Sequence, residues 1–439
     1  MNKAQSAAAC LLGLALVVAC GSVALSGPEA GIGLNPELPA PQHTLVPTVK
    51  IAPAVGWPQG ASPTAASGFR VTALASGLEH PRWVYVLPNG DVLVAESDAP
   101  AKPDDEKGIR GLVAKLVMKR AGSDLGSANR ITLLRDTNGD GIADVRSVFL
   151  KGLNSPIGMA LAGNELFIAN ADAIVKVPYQ QGQASISAVP VKVTDLPGGP
   201  INHHWTKNII ASPDGKKLYA TVGSNSNIAE NGLPAEEGRA AIWEVDIATG
   251  QKRLFASGMR NANGMGWEPK TGVLWTVVNE RDELGNDLVP DFLTSVKDGA
   301  FYGWPWSYWG QWVDERVKPQ HPEMVAKAVV PDYGLGSHVA ALGMAFSDER
   351  TMPQNYASGV FIGEHGSWNR KPRSGYKVVY VPFANGRPSS EPIDFLTGFL
   401  SADGDAYGRP VGVAMDRKGG LLVADDVGNV VWRVAPPPR

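Results

Sequence analysis

Cysteine is nearly absent from this chain. Its 439 residues include two, Cys10 and Cys20. No disulfide framework can therefore hold the body of the protein together. No C-x-x-C-H occurs, so no c-type haem is built in and electrons, if any, leave to a separate carrier. Positive charge is not in excess either: 40 Lys and Arg face 43 Asp and Glu, a net charge of −3. Nucleic-acid surfaces rest on a basic excess, so that class of partner is set aside. The apolar run from Ala7 to Ala19 is too short and too poorly flanked to span a membrane stably. Glycine and proline are plentiful, at 50 and 34, and 44% of the residues are hydrophobic. That balance suits a turn-rich all-β protein with a large core.

The first twenty residues read as a targeting segment. Lys3 precedes the apolar run, which ends in Val17-Val18-Ala19-Cys20-Gly21. This resembles a bacterial lipobox, so residues 1–20 are expected to be a lipoprotein-type signal peptide with Cys20 as the lipid-bearing residue. The expected address is the periplasm or cell envelope, with membrane contact only through that anchor. Residues 21–68 are rich in Pro, Ala and Gly without a clear period and read as an extended tether. Within them, 49–55 has the look of a short strand packed on the domain. Residues 69–439 form the folded domain.

Six times in that domain a turn residue leads into an apolar segment, a polar turn and a second apolar segment. The copies span His80–Ser97, Asn154–Ala171, His203–Ser224, Asn261–Asp282, His338–Gly366 and Gly408–Gly428. Each reads as a β-hairpin, with Asn89-Gly90 and Asp214-Gly215 among the turns. Flanking segments such as Val71–Ser76, Arg146–Lys151 and Lys252–Ser257 supply further strands. Six similar four-stranded units predict a six-bladed β-propeller. The ring is expected to close through the early strand Phe69–Leu74 beside Val430–Val434.

In a propeller the loops entering the inner strands gather at one end of the central channel. Those positions are Arg82, Ser155, His203-His204, Arg260-Asn261, His338 and Arg409, and the loops after the second strands add Glu280-Arg281-Asp282 and His365. His204 is a candidate proton acceptor, because imidazole titrates near neutral pH. Arg260, Arg409 and Arg370 suit a carboxylate or phosphate, since guanidinium bonds such groups in pairs. Several cations at one cavity point to a small anionic ligand, unless they pair with Glu280, Asp282 or Glu364. Trp205 and Trp368 are placed to line a pocket; Trp304, Trp306 and Trp309 read as packing between blades. The run Asp136-Thr137-Asn138-Gly139-Asp140-Gly141-Ile142-Ala143-Asp144 matches the start of an EF-hand-type loop, with Ser147 where the bidentate glutamate belongs. Asp136, Asn138, Asp140 and Asp144 are thus candidate ligands of a structural calcium, or members of a polar turn.

The segments HHWTKNIIASPDGKKLYATVGS, GMRNANGMGW, VNERDELGND with FYGWPW, FIGEHGSWNR and GRPVGVAMD together resemble the soluble quinoprotein sugar dehydrogenases, especially the sorbosone dehydrogenase-like branch. The resemblance covers roughly 68–434. It implies a six-bladed propeller that binds pyrroloquinoline quinone (PQQ) and calcium over the channel and oxidises a sugar or aldehyde, with a cytochrome or quinone pool taking the electrons. By motif it implies His204 as general base and Arg260 and Asn261 beside the quinone carbonyls and substrate. Arg409, with Arg281, Trp368 and Arg370, would hold the cofactor, and the Arg281-Asp282-Glu283 loop would ligate its calcium through Asp282 and Glu283. Three positions depart from the glucose-oxidising branch: Ser224 stands where an aspartate orients the base, Asp282-Glu283 where Gly-Pro carbonyls bind calcium, and Asn263 in place of a glutamine. Two other readings stay open: a calcium-dependent lactone hydrolase, for which Glu96, Glu280 and Asp425 are the acids, and a non-catalytic ligand-binding propeller.

Overall fold

The computed structural model describes residues 23–27, 29–42, 48–100, 120, 122 and 126–437. Residues 1–20, read above as a signal peptide, and with them Cys20, lie outside the described residues. Six four-stranded antiparallel blades follow one another around a ring, two of them widened by an added edge strand. Blade I comprises Pro81–Val86, Val92–Glu96, Arg130–Arg135 and Val145–Lys151. Blade II comprises Met159–Ala162, Glu165–Ala169, Ala173–Pro178 and Val191–Asp195. Blade III comprises Ile209–Ala211, Lys217–Val222, Ala241–Asp246 and Lys252–Ser257. Blade IV comprises Asn261–Trp267, Leu274–Asn279, Pro290–Ser295 and Tyr333–Ser337. Blade V comprises Ala341–Phe346, Gly359–Glu364, Lys377–Ala384 and Ile393–Thr397. Blade VI comprises Pro410–Met415, Leu421–Asp425 and Val430–Ala435, and takes its fourth strand, Arg70–Ser76, from the start of the domain. Ser76 pairs with Val430 and Arg70 with Ala435, so the ring closes where the sequence pattern placed its closure. The six-bladed propeller is the fold.

The core lies between neighbouring blades. Trp83, Leu93 and Phe149 of blade I pack with Met159, Leu166 and Ile168 of blade II in one cluster. Each such side chain contributes about 1.5–3 kcal/mol by leaving water. The innermost strands approach so closely that a side chain does not fit. A Cβ on Gly343 would lie 2.2 Å from the Val411 carbonyl oxygen, and one on Gly264 would lie 2.6 Å from the Met344 nitrogen.

A second repeated device sits at the entrances. Asn129 and Asn429 adopt left-handed backbone. The Asn129 side chain accepts from the Ser155 N–H at 2.7 Å, and that of Asn429 accepts from the His80 N–H at 3.0 Å. Ser155, His80 and His338 are themselves left-handed, at φ 45, 54 and 61. Such conformations persist in β-branched-free polar residues only where the surroundings enforce them. Inner strands also carry bulges next to these entrances, as between Pro81 and Trp83 and between Pro410 and Val413, and bulges of this kind bend a strand locally.

The tether expected over 21–68 is corrected by the described part of that segment. Ile32–Gly33 adds a strand to the outer edge of blade IV, and Thr64–Ala65 adds one to blade V. The Val55 N–H donates to the Ala406 carbonyl, and the Ala406 N–H donates to that of Pro53. Trp57 packs edge-on against Phe399 and Trp432. An outer blade strand presents unpaired N–H and C=O groups, and this segment satisfies some of them.

Candidate active site

His204 enters the mouth from the loop before blade III. Its Nδ1 lies 2.9 Å from the Ser224 carbonyl oxygen and 2.9 Å from Ser224 Oγ. A carbonyl can only accept, so Nδ1 carries the hydrogen and Nε2 keeps its lone pair. Burial, together with the nearby Arg260 charge, holds the imidazole well below its usual pKa, and it is neutral at pH 7. Gly223 stands between His204 and Asn261: a Cβ there would lie 2.5 Å from His204 Cβ and 2.4 Å from Asn261 Oδ1. The missing side chain is what lets these two residues stand side by side.

Arg260 opens blade IV. Its Nη2 pairs with Asp282 Oδ2 at 3.0 Å, while Nη1 donates to Asn279 Oδ1 and to the Glu280 carbonyl. Asp282 Oδ1 also accepts from Asn369 Nδ2 at 2.7 Å and lies 3.5 Å from His338 Nδ1. Burial opposes ionisation of Asp282, but Arg260, His338 and Asn369 together outweigh it and hold the pKa at about 2. The loop carbonyls of Asp282 and Glu283 accept from Arg316 Nη1 at 3.1 and 3.2 Å.

A third group closes the mouth between blades V, VI and I. Asp426 Oδ2 lies 2.5 Å from Arg82 Nη1, 2.9 Å from His365 Nε2 and 3.7 Å from His80 Nε2. The Arg82 guanidinium and the hydrogen bond to His365 outweigh burial and hold the Asp426 carboxyl far below the usual range. His365 moves down to about 4, chiefly through burial, and is neutral. The Arg82 guanidinium lies 5.8 Å from the Trp205 ring, which joins blade I to the His204 loop. Arg409 is buried over Tyr376 at 5.3 Å and donates from Nη2 to the Ala52 carbonyl. Among the described residues no carboxylate forms an ion pair with it. Four buried polar atoms here lack a protein partner: Arg82 Nε, Arg409 Nε, Asn261 Oδ1 and Asn369 Oδ1.

The structure therefore brings together His204, Arg260, Asn261, Asp282 and Arg409 at or beside the entrances. Two expected cofactor-binding arginines do not join them. Arg281 is fully buried and donates to Glu280, Asp314 and the Pro305 and Ser307 carbonyls. Arg370 donates to Asp287 and to the Asn286, Pro372, Ser26 and Gly27 carbonyls. Both are corrected to structural ties, because interior oxygens take their donors. Trp368 is 42% exposed and offers its carbonyl to the Lys50 N–H. Glu283 is exposed at φ 70.

The Asp136–Asp144 loop folds onto itself. Asp136 accepts from the Gly139 and Gly141 N–H groups and from Lys418, Asp140 from Ile142, and Asp144 from Thr137; Asn138 donates to Asp140. Among the described residues no three His, Cys, Asp or Glu side chains are grouped to hold a metal. The acids of the hydrolase reading are likewise engaged. Glu96 accepts from Arg130, Thr132 and the Glu79 N–H. Glu280 accepts from Arg281, and Asp425 from Trp57, Trp432, Gly428 and Arg409. Sequence reading missed Asp426 and the importance of Arg82. The one available signal was Asp425-Asp426, which follows the second strand of blade VI as Glu280-Arg281-Asp282 follows that of blade IV.

A family model described as TrAA12-like matches residues 63–292 and 311–436. A pyrroloquinoline quinone-dependent pyranose dehydrogenase of Coprinopsis cinerea is 24% identical over 428 residues, covering 84% of this chain and 54% of that protein. The chain thus spans about half the length of that relative. The holo form of the pyranose dehydrogenase PQQ domain from Coprinopsis cinerea matches with a TM-score of 0.68 and 20% identity, over 88% of this chain and 100% of that one. The calcium structure of the Trichoderma reesei family AA12 protein gives a TM-score of 0.68 at 19% identity, over 89% of this chain and 99% of that one. At these identities the solved structures establish a common fold. The family match is of another kind, since it runs from the segment just before the closing strand to the end of blade VI, and by it the chain belongs to the TrAA12-like family.

Proposed function

We propose that this protein is a PQQ-dependent oxidoreductase that oxidises an aldose or sugar aldehyde, with a sorbosone-like compound as the substrate class. The observation that carries this reading is the set of unpartnered buried atoms at the mouth, Arg82 Nε, Arg409 Nε, Asn261 Oδ1 and Asn369 Oδ1, beside a neutral His204. Such atoms are costly unless a ligand or water meets them, and guanidiniums without a full complement of carboxylates fit a planar tricarboxylate. Arg82 and Arg409 would hold its carboxylates, and Asn261 and the remaining Nη2 hydrogen of Arg260 would face its carbonyl side. When bound, PQQ supplies a two-electron acceptor for hydride. The chain itself supplies the proton acceptor: Ser224 fixes the His204 tautomer, and Nε2 is left to take the substrate hydroxyl proton. Arg260 disfavours a resident imidazolium, so the base is ready at neutral pH.

Calcium enters the reading through the Trichoderma structure and the ionised Asp282. The Asp282 and Glu283 carbonyls are taken by Arg316, and Asp282 is the ionised group that would remain to hold such an ion. The hydrolase alternative loses its support, because its acids are engaged by the fold. A cytochrome or quinone pool as electron acceptor, and an envelope address through lipidation at Cys20, complete the proposal on the strength of the absent haem motif and of Val17–Gly21.

Purified protein reconstituted with PQQ and Ca²⁺ tests it. A quinone absorbance change on adding aldoses is expected, and no PQQ binding at micromolar concentration overturns the reading. His204→Ala is expected to lower turnover about 10²–10⁴-fold, the usual worth of general-base help, while PQQ titration stays unchanged. Lipidation is read by labelled fatty-acid incorporation, lost in Cys20→Ser.

A further inference from the structure

Lys207 is fully buried directly after the His204-Trp205-Thr206 stretch. Its Nζ meets three oxygens: the His204 carbonyl at 3.1 Å, the Trp205 carbonyl at 3.3 Å and Asn202 Oδ1 at 3.4 Å. A lysine head directs N–H donors outward, and each of these three partners is an oxygen acceptor. None of the three is a carboxylate. Buried charges are ordinarily paired with an opposite one. Burial, seconded by Arg239, pushes the Lys207 amine well below its usual pKa, and Asp172 offsets this only through space.

The three oxygens all belong to the segment that presents His204. Residues 201–208 lie outside any strand, so sheet pairing does not fix their path. Lys207 draws the segment into a loop closed on its own side chain. The far end of the loop is anchored in turn: Asn202 Nδ2 donates to the Ala171 carbonyl at 3.1 Å, and Asn202 Oδ1 accepts from Arg239 Nη1 at 2.9 Å. Arg239 also donates to the Gly198 carbonyl. The knot ties the His204 loop to blades II and III.

We propose that Lys207 is a positioning residue for His204: by holding the His204 and Trp205 carbonyls it sets the imidazole with Nδ1 on Ser224 and Nε2 open to the mouth. The proposal rests on His204 being the proton acceptor. The titratable and charged groups that face His204 are Arg260, Asp282 and His203, and those that face Lys207 are Arg239 and Asp172. Arg260 and Arg239 donate elsewhere, to Asn279, Asp282 and the Asn227 and Glu280 carbonyls, and to Asn202 and the Gly198 carbonyl.

The test compares native protein with Lys207→Met, which keeps the length and loses every donor, and Lys207→Arg, which keeps donors. The first readout needs no cofactor: ¹⁵N-histidine-labelled protein reports the His204 tautomer among seven histidines. A single Nδ1–H tautomer is expected in the native and Lys207→Arg proteins, and a mixture in Lys207→Met. In protein reconstituted with PQQ, Lys207→Met is expected to lose about 10- to 100-fold in kcat, the scale of a small misplacement of a reacting group, with KM and PQQ titration near native. A single tautomer and native kcat in Lys207→Met overturn the proposal. If that variant does not fold, Lys207→Gln is read by the same two criteria. Failure of the underlying reading looks different: His204→Ala then keeps native turnover, whatever the tautomer measurement says of Lys207.

Discussion

Glu364 is a buried carboxyl with a strongly raised pKa. Its Oε2 is buried without a partner, and burial, only partly offset by Lys377, pushes the pKa up to about 8. Asp291, also buried, moves up to about 7 for the same reason. A carboxyl raised on folding keeps its proton in the native state where the unfolded chain has already lost it. Its stabilising effect is therefore full below the unfolded value near 4.5 and is lost as pH rises to about 8, at about 1.4 kcal/mol per pH unit. Glu364→Gln removes that dependence. Thermal melts are expected to show the variant gaining on the native protein at pH 8, and no such gain at pH 4.5. Asp282 has the opposite sign: held at about 2, it stabilises above pH 4 and that support fades as pH falls toward 2. The same contrast explains what was legible. His204 and Arg260 follow the turn that starts a repeat, so their place at the mouth is a matter of counting. The interior fate of Arg281 and Arg370 depends on oxygens supplied by residues 305–314 and 26–27. Periodicity carries no trace of such distant partners.

Hairpins were legible because local chemistry dictates them: Asn89-Gly90 and Asp214-Gly215 favour the turns, and the apolar segments on either side can pair only in one register. The segment before the domain was not, since Pro- and Ala-rich chain reads as linker whether or not an edge strand captures it. Trp57 measures how firmly it is captured. Its indole donates to Asp425 at 2.7 Å and its ring meets Phe399, Tyr407 and Trp432. Trp57→Ala is expected to cost about 3–5 kcal/mol, the range for losing a packed aromatic, read as a lower urea midpoint with an unchanged slope. Gly223 offers the complementary test at the end of the second strand of blade III. Gly223→Ala forces His204 and Asn261 apart, and overpacking of this kind costs about 1–3 kcal/mol. Turnover is expected to fall more than the melting temperature, because the displaced groups are those of the site.

At the scale of the molecule, the ring has one seam. Blade VI is complete only when Arg70–Ser76 lies beside Val430–Ala435. A chain starting after Ser76 leaves an unpaired blade edge and uncovers Leu422, Ala424 and Val431, which pack with Leu74. Such a chain is expected to associate or precipitate, with sedimentation showing species larger than the monomer, while addition of the missing strand in trans restores monomeric protein. The seam also imposes an order on biosynthesis. The first strand of the domain to leave the ribosome waits for the last, holding an unpaired edge through the making of five blades. Parts of a growing chain that lack their partner are exposed to premature association, so the two ends of this domain share one fate: neither is finished until both exist.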